Sequence, residues 1–194
     1  MVTLTFQKLG LSPSSAFLLL AGSLAGSLIN LPLFTIASGN TRDYDASFFH
    51  GLLRGRISEY TGTTIIAVNV GGCIIPALFS VYLLFHGNPG VSDALLATGV
   101  VTIISFMFSR TIPGLGVGMP ILIAPVSAAT VAILLNPEYS APLAYIAGTI
   151  GVLVGADLLR LTDIGRIGAP LASIGGAGTF DGIFITGVVA VLLT

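Results

Sequence analysis

The chain has 194 residues, enough for one domain; 54% are hydrophobic and only 8% charged, with a mean hydropathy of +1.02. Seven basic and eight acidic side chains cannot clothe a soluble domain, where roughly 25% charged residues is usual, and they leave no basic patch for nucleic acid. So few charges at this hydropathy predict an integral membrane protein whose surroundings are lipid. The single cysteine, Cys73, excludes an intrachain disulfide and so indicates no redox compartment.

An apolar run of about 20 residues crosses roughly 30 Å of hydrocarbon. Six such runs occur in chain order. The first covers about Ser14–Ala37 and is opened by Ser12-Pro13, a helix cap followed by a residue suited to a first turn. The polar stretch Ser38–Tyr60 follows. Within it Phe48, Phe49, Leu52, Leu53 and Arg56 keep the three-four spacing of an apolar face, which predicts an interfacial helix over Thr41–Tyr60. The alternative is a strand at Arg54–Tyr60 on the membrane rim, able to pair with an unfolded substrate. The second run, about Thr63–Phe85, ends at His86-Gly87-Asn88-Pro89. The third is about Ser92–Ser109, with Ser92 and Asp93 suited to a helix start. A Gly/Pro connection, Arg110–Gly118, leads to the fourth, about Met119–Leu135, which Asn136-Pro137 ends. The fifth is about Ala141–Leu161. A glycine-rich connector, Thr162–Gly178, precedes the sixth, about Thr179–Thr194.

Barrel strands would read as alternating segments of about ten residues. These runs are continuous, so an all-α fold is expected: a polytopic integral membrane protein of about six transmembrane helices in one domain over residues 1–194. Pro32, Pro76, Pro120 and Pro125 should kink or break helices, the fourth most of all. Arg42, Arg54, Arg56, Arg110, Arg160 and Arg166 fall on the connections after runs one, three and five, and only Lys8 falls on the other side. Positive charge marks the cytoplasmic side, so both termini are expected outside the cytosol. One N-terminal lysine and no small-residue cleavage site after the first run predict no cleaved signal peptide.

Acids inside spans are expensive, on the order of 3 kcal/mol each. Asp157, in Val154-Gly155-Ala156-Asp157-Leu158-Leu159, and Asp181, in Gly178-Thr179-Phe180-Asp181-Gly182, are the two flanked by apolar sequence on both sides. Consecutive antiparallel spans beside one connector should set them at one depth. Two carboxylates a few ångströms apart in low dielectric cannot both ionise, so one serves as base and the other as acid. Such a pair can activate water against an amide and protonate the leaving nitrogen. Glycines 175, 176 and 178 would let another backbone approach. Three readings remain open: a protease-like pair, a proton or cation site between broken helices, and structural acids, with Asp157 simply paired to Arg160. Asn30 and Asn69 lie at mid-span, as interhelical hydrogen-bonding groups or as pathway lining. No metal-ligand spacing and no phosphate loop occurs, so no metal or cofactor is expected.

Gly176-Ala177-Gly178 followed by Asp181, with Asp157 late in the preceding span, resembles the intramembrane aspartyl proteases of the presenilin and signal-peptide-peptidase group. That group carries its second acid in Gly-x-Gly-Asp; here two residues are inserted, and Ala156 stands where the group has tyrosine before the first acid. Pro76-Ala77-Leu78 matches the group's Pro-Ala-Leu motif, upstream of the acids rather than downstream. The resemblance implies Asp157 and Asp181 as catalytic residues, transmembrane peptides as substrates, and Pro76, Ala77, Leu78, Gly176, Gly178 and Gly182 on the substrate side; Asn69 is expected there from its mid-span position alone. The stretch from Gly168 to Gly182 is similar to an uncharacterised prokaryotic membrane-protein family, domain of unknown function 1614, which implies no activity.

Overall fold

A computed structural model describes residues 6–38, 62–112, 116–165, 171–176 and 182–194. The expected interfacial segment Thr41–Tyr60 and the acid Asp181 lie outside these residues, as does Gly178.

Helices dominate, but the all-α expectation is corrected: the first two apolar runs each combine a helix with a strand. Helix α1 (Pro13–Gly26) gives way to strand β1 (Asn30–Ala37). Strand β2 (Thr63–Asn69) passes through a π-helical turn, Val70–Ile74, into α2 (Ile75–His86). β1 and β2 pair antiparallel, Asn30 opposite Asn69 and Ala37 opposite Thr63, with a register shift between Pro32 and Phe34. β5 (Leu171–Ile174) pairs parallel to β2, giving the order β1-β2-β5. The physical reason is local. Thr63-Thr64-Ile65-Ile66-Ala67-Val68 is almost wholly β-branched, and Pro32 is tolerated on an outer strand but not inside a helix. A continuous apolar run does not by itself separate a buried strand from a helix. The Arg110–Gly118 connection is a small hairpin, β3 (Arg110–Ile112) against β4 (Gly116–Gly118).

The remaining runs are helical. α3 is Val91–Phe108 and α4 is Ile123–Leu135. α5 (Ser140–Val152) runs on through a π turn, Leu153–Asp157, and a 3₁₀ turn, Leu158–Arg160, into the short α6 (Leu161–Ile164). α7 is Gly182–Leu193. Ser12 caps α1 as expected, its hydroxyl accepting the Ser15 N–H at 3.2 Å. Pro32 lies in β1, where the first run has left the helix, Pro120 precedes α4 and Pro125 sits in its first turn, which has no intrahelical N–H bond for proline to lose. Pro76 lies inside the continuous helical run Val70–His86, directly behind the π turn Val70–Ile74 where the helix departs from α geometry.

α5 is the hub, packed by α2, α3, α4 and α7 and buried from Pro142 to Thr149. Close approach rests on missing side chains: a Cβ at Gly155 would lie 2.4 Å from the Thr102 carbonyl oxygen of α3. α7 runs antiparallel to α5. Thr194 borders a cleft with Tyr139–Pro142, Gly187 packs on Tyr145 and Thr149, and Ile183 clusters with Val152 and Ala156.

Many interior positions are small, among them Ala97, Ala128, Ala132, Ala144, Ala147 and Ala190, around a few fully buried large side chains, Phe6, Leu83, Leu143 and Tyr145. Many other large apolar side chains face outward: Phe17, Leu18, Phe85, Leu95, Met107 and Leu134 are 69% to 78% exposed. Among the described residues Val91–Phe108 and Ser140–Ile164 are long and apolar enough to cross a membrane, and shorter apolar helices such as Pro13–Gly26, Val70–His86 and Ile123–Leu135 accompany them.

Candidate functional site

Asp157 closes the π turn of α5, where the helix passes into its 3₁₀ segment. A π turn adds a residue to the helical circuit and is common at functional positions. The half-buried carboxylate accepts the backbone N–H of Gly175 on Oδ2 at 3.0 Å. Gly175 directly follows β5, so the acid is held by the connector that leads to Asp181, six residues on.

Gly175 could be no other residue. Its φ is +82°, and a Cβ would lie 2.6 Å from Cys73 Cβ and 2.7 Å from the Cys73 nitrogen. Gly176 follows with φ +86° and donates its N–H to the Ser173 carbonyl. The turn therefore rests on the π turn Val70–Ile74. That turn in turn sits on α1, where Gly71 meets the chain so closely that a Cβ would overlap the Ser23 carbonyl oxygen.

Asn69 pins this junction. Its side-chain nitrogen donates to the Ser27 carbonyl at 2.7 Å and to Asn30 Oδ1 at 3.1 Å, and its Oδ1 accepts the Gly72 N–H at 2.8 Å. Ser173 Oγ donates to the same Asn30 oxygen, tying β5 to β1. Asn69 is fully buried with both ends of its amide engaged, so it positions α1, β1 and the π turn rather than facing a substrate. Pro76 is buried and Ala77 half-buried in the first turn of α2, while Leu78 is exposed. They follow Cys73 closely and so belong to the end of the bundle that holds Asp157. Gly182 opens α7.

Arg160 does not serve Asp157. Its guanidinium donates to the Phe106 and Ser109 carbonyls at 2.8 and 2.9 Å and to Ser109 Oγ, pairs with Asp163 at 3.2 Å and lies 4.3 Å from the Phe106 ring centroid. It closes the C-terminus of α3, where a cation complements the free carbonyls. The plain Asp157–Arg160 pairing is thus replaced by Arg160–Asp163. Neither Ser173 nor Ser23, whose buried hydroxyl donates to the Gly71 carbonyl, is singled out by the sequence, because a serine in an apolar run carries no distinctive spacing. Among the described residues no group of three His, Cys, Asp or Glu side chains is placed to hold a metal ion.

A family model described as "Protein of unknown function (DUF1614)" matches residues 24–193, and the chain belongs to that family. No curated protein and no solved structure matches it.

Proposed function

We propose that this DUF1614 protein is a polytopic membrane protein that hydrolyses peptide bonds of membrane segments with Asp157 and Asp181. The observation that carries the reading is the seat of Asp157 in a broken turn of the central helix, hydrogen-bonded to Gly175 of the connector that runs to Asp181. The α5–α7 register supports it. From Thr194 through Gly187 to Ile183, each step back along α7 meets a step along α5 toward Asp157. Large apolar residues outside and alanine and glycine inside suit lipid as the solvent, and the six-to-one split of basic residues suits termini outside the cytosol of a prokaryotic cell membrane.

In this mechanism the ionised acid takes a proton from a water whose oxygen bonds to the peptide carbonyl carbon. The protonated acid gives its proton to the nitrogen as the C–N bond breaks, leaving a carboxylic acid and an amine. The Gly175 N–H fixes one oxygen of Asp157, so the water meets a carboxylate of set orientation. The test is cleavage of a helical membrane peptide by the purified protein across pH 4–8. Asp157→Asn and Asp181→Asn should each abolish it, and the double variant should be no worse than either.

A second reading is a proton or cation transporter using the same acids. It is favoured by Tyr145, Thr149 and Ser105, whose hydroxyls are buried in the helical core with no hydrogen-bonding partner of good geometry among the described residues. Ion exchange by the wild-type protein in liposomes, with no peptide product at any pH, would establish it in place of hydrolysis.

A further inference from the structure

The opposite end of the bundle carries an open cleft of about 480 Å³. It is about 26 Å along α5 from Asp157, taking 1.5 Å per residue from Ser140. Leu9 and Pro142 line it as buried apolar residues, and Lys8, His86 and Glu138, exposed at its edge, come together from three separate parts of the chain. Lys8 and Glu138 do not neutralise one another, since the ion pair found among the described residues joins Arg160 to Asp163. Two opposite charges that share a cleft without touching complement a ligand carrying both signs. His86 adds a directional group. Its Nδ1 lies 3.1 Å from the Tyr82 carbonyl, which can only accept, so Nδ1 bears the hydrogen and Nε2 remains for a ligand.

The position selects the source of that ligand. Phe85, immediately before His86, is 72% exposed, and the exposed Leu193 immediately precedes Thr194 at the cleft's edge. A charged cleft bordered by outward apolar helix ends is where a lipid headgroup meets its acyl chains.

We propose that the Lys8–His86–Glu138 cleft binds the headgroup of a zwitterionic phospholipid with a primary ammonium, its phosphate at Lys8 and its ammonium at Glu138. This rests on the membrane placement proposed above and is independent of peptide hydrolysis. The test is lipid retention by the full-length protein in detergent, read by native mass spectrometry, with phosphatidylethanolamine, phosphatidylcholine and phosphatidylglycerol offered at equal concentration. Phosphatidylethanolamine should be retained about fivefold to tenfold over the other two, the scale of one charge-assisted hydrogen bond. Glu138→Gln should erase that preference, and Lys8→Gln should weaken retention of all three. Equal retention of the three lipids, or variants that behave as wild type, would overturn the site. Free phosphoethanolamine competing as well as the lipid at equal concentration would overturn the lipid as its source. A chain recovered without detergent in the soluble fraction would remove the membrane placement and the proposal with it.

Discussion

Replacing Gly175 by alanine should separate the cost of its conformation from the cost of its crowding. The residue has φ +82°, and a left-handed non-glycine residue costs about 1–2 kcal/mol. The new Cβ would also lie 2.6 Å from Cys73 Cβ, 2.7 Å from the Cys73 nitrogen and 2.8 Å from the Gly72 carbonyl carbon, two of which are backbone atoms that cannot swing aside. Overpacking of that kind adds roughly 1–3 kcal/mol, for a total near 3 kcal/mol. At about 2–4 °C per kcal/mol for a chain of this size, Tm in detergent should fall by roughly 6–12 °C. Gly10→Ala is the control: its φ is +74°, but nothing lies within 4 Å of the added Cβ, so only the conformational cost applies. Far-UV circular dichroism follows global unfolding, and labelling of the buried Cys73 thiol follows the junction itself. The packing argument fails if Gly175→Ala loses no more than Gly10→Ala. Because the shift would carry the Gly175 N–H away from Asp157, cleavage should fall as well.

Asn69→Leu keeps the heavy-atom count and branching but strands the Ser27 carbonyl and the Gly72 N–H, and should cost about 2–4 kcal/mol, visible as a lowered Tm and early exposure of Cys73. Arg160→Gln frees the last carbonyls of α3 and should cost about 1–2 kcal/mol, with faster amide exchange near Ser109 and cleavage intact. Loss of cleavage without loss of stability would instead put Arg160 in the chemistry. Asp157→Asn retains a carbonyl oxygen for the Gly175 N–H, so its Tm should stay within a few degrees of wild type while cleavage disappears; a collapse of the fold would make the acid structural.

The helical core was legible wherever apolar runs were bounded by caps and breakers. Val91–Phe108 and the Ser140–Ile164 rod follow the runs read as Ser92–Ser109 and Ala141–Leu161, and Ser12-Pro13 opens α1. The strands were not legible. A seven-residue inner strand such as Thr63–Asn69 reads as part of one apolar run with the helix that follows it, and only its β-branching sets it apart. Its parallel partner, Leu171–Ile174, lies about a hundred residues away, where no local pattern announces the pairing. Proline disfavours helices in general, which predicts kinks, yet a first turn accepts Pro125, an outer strand accepts Pro32, and Pro76 follows a π turn that the sequence does not announce. At the site, Asp157 was legible as an acid set in apolar sequence. Its bond to Gly175 was not, since it depends on a π turn and a left-handed glycine that no spacing reveals. Asn69 was legible as a polar residue at mid-run, but its role as a clamp follows from three partners distant in sequence or fixed by the turn.

The nearness of the two acids is the central claim, and paired cysteines measure it directly. With Cys73 replaced by alanine, Asp157→Cys and Asp181→Cys are introduced together and treated with a short bifunctional thiol reagent. Trypsin then cuts after Arg160 and Arg166, the basic residues between them. The expected result is a cross-linked pair of fragments in high yield, because a shared water holds two carboxylates within hydrogen-bonding reach of it. Fragments that separate after the short reagent, but stay joined after one several times longer, would contradict the pairing and with it the hydrolytic mechanism.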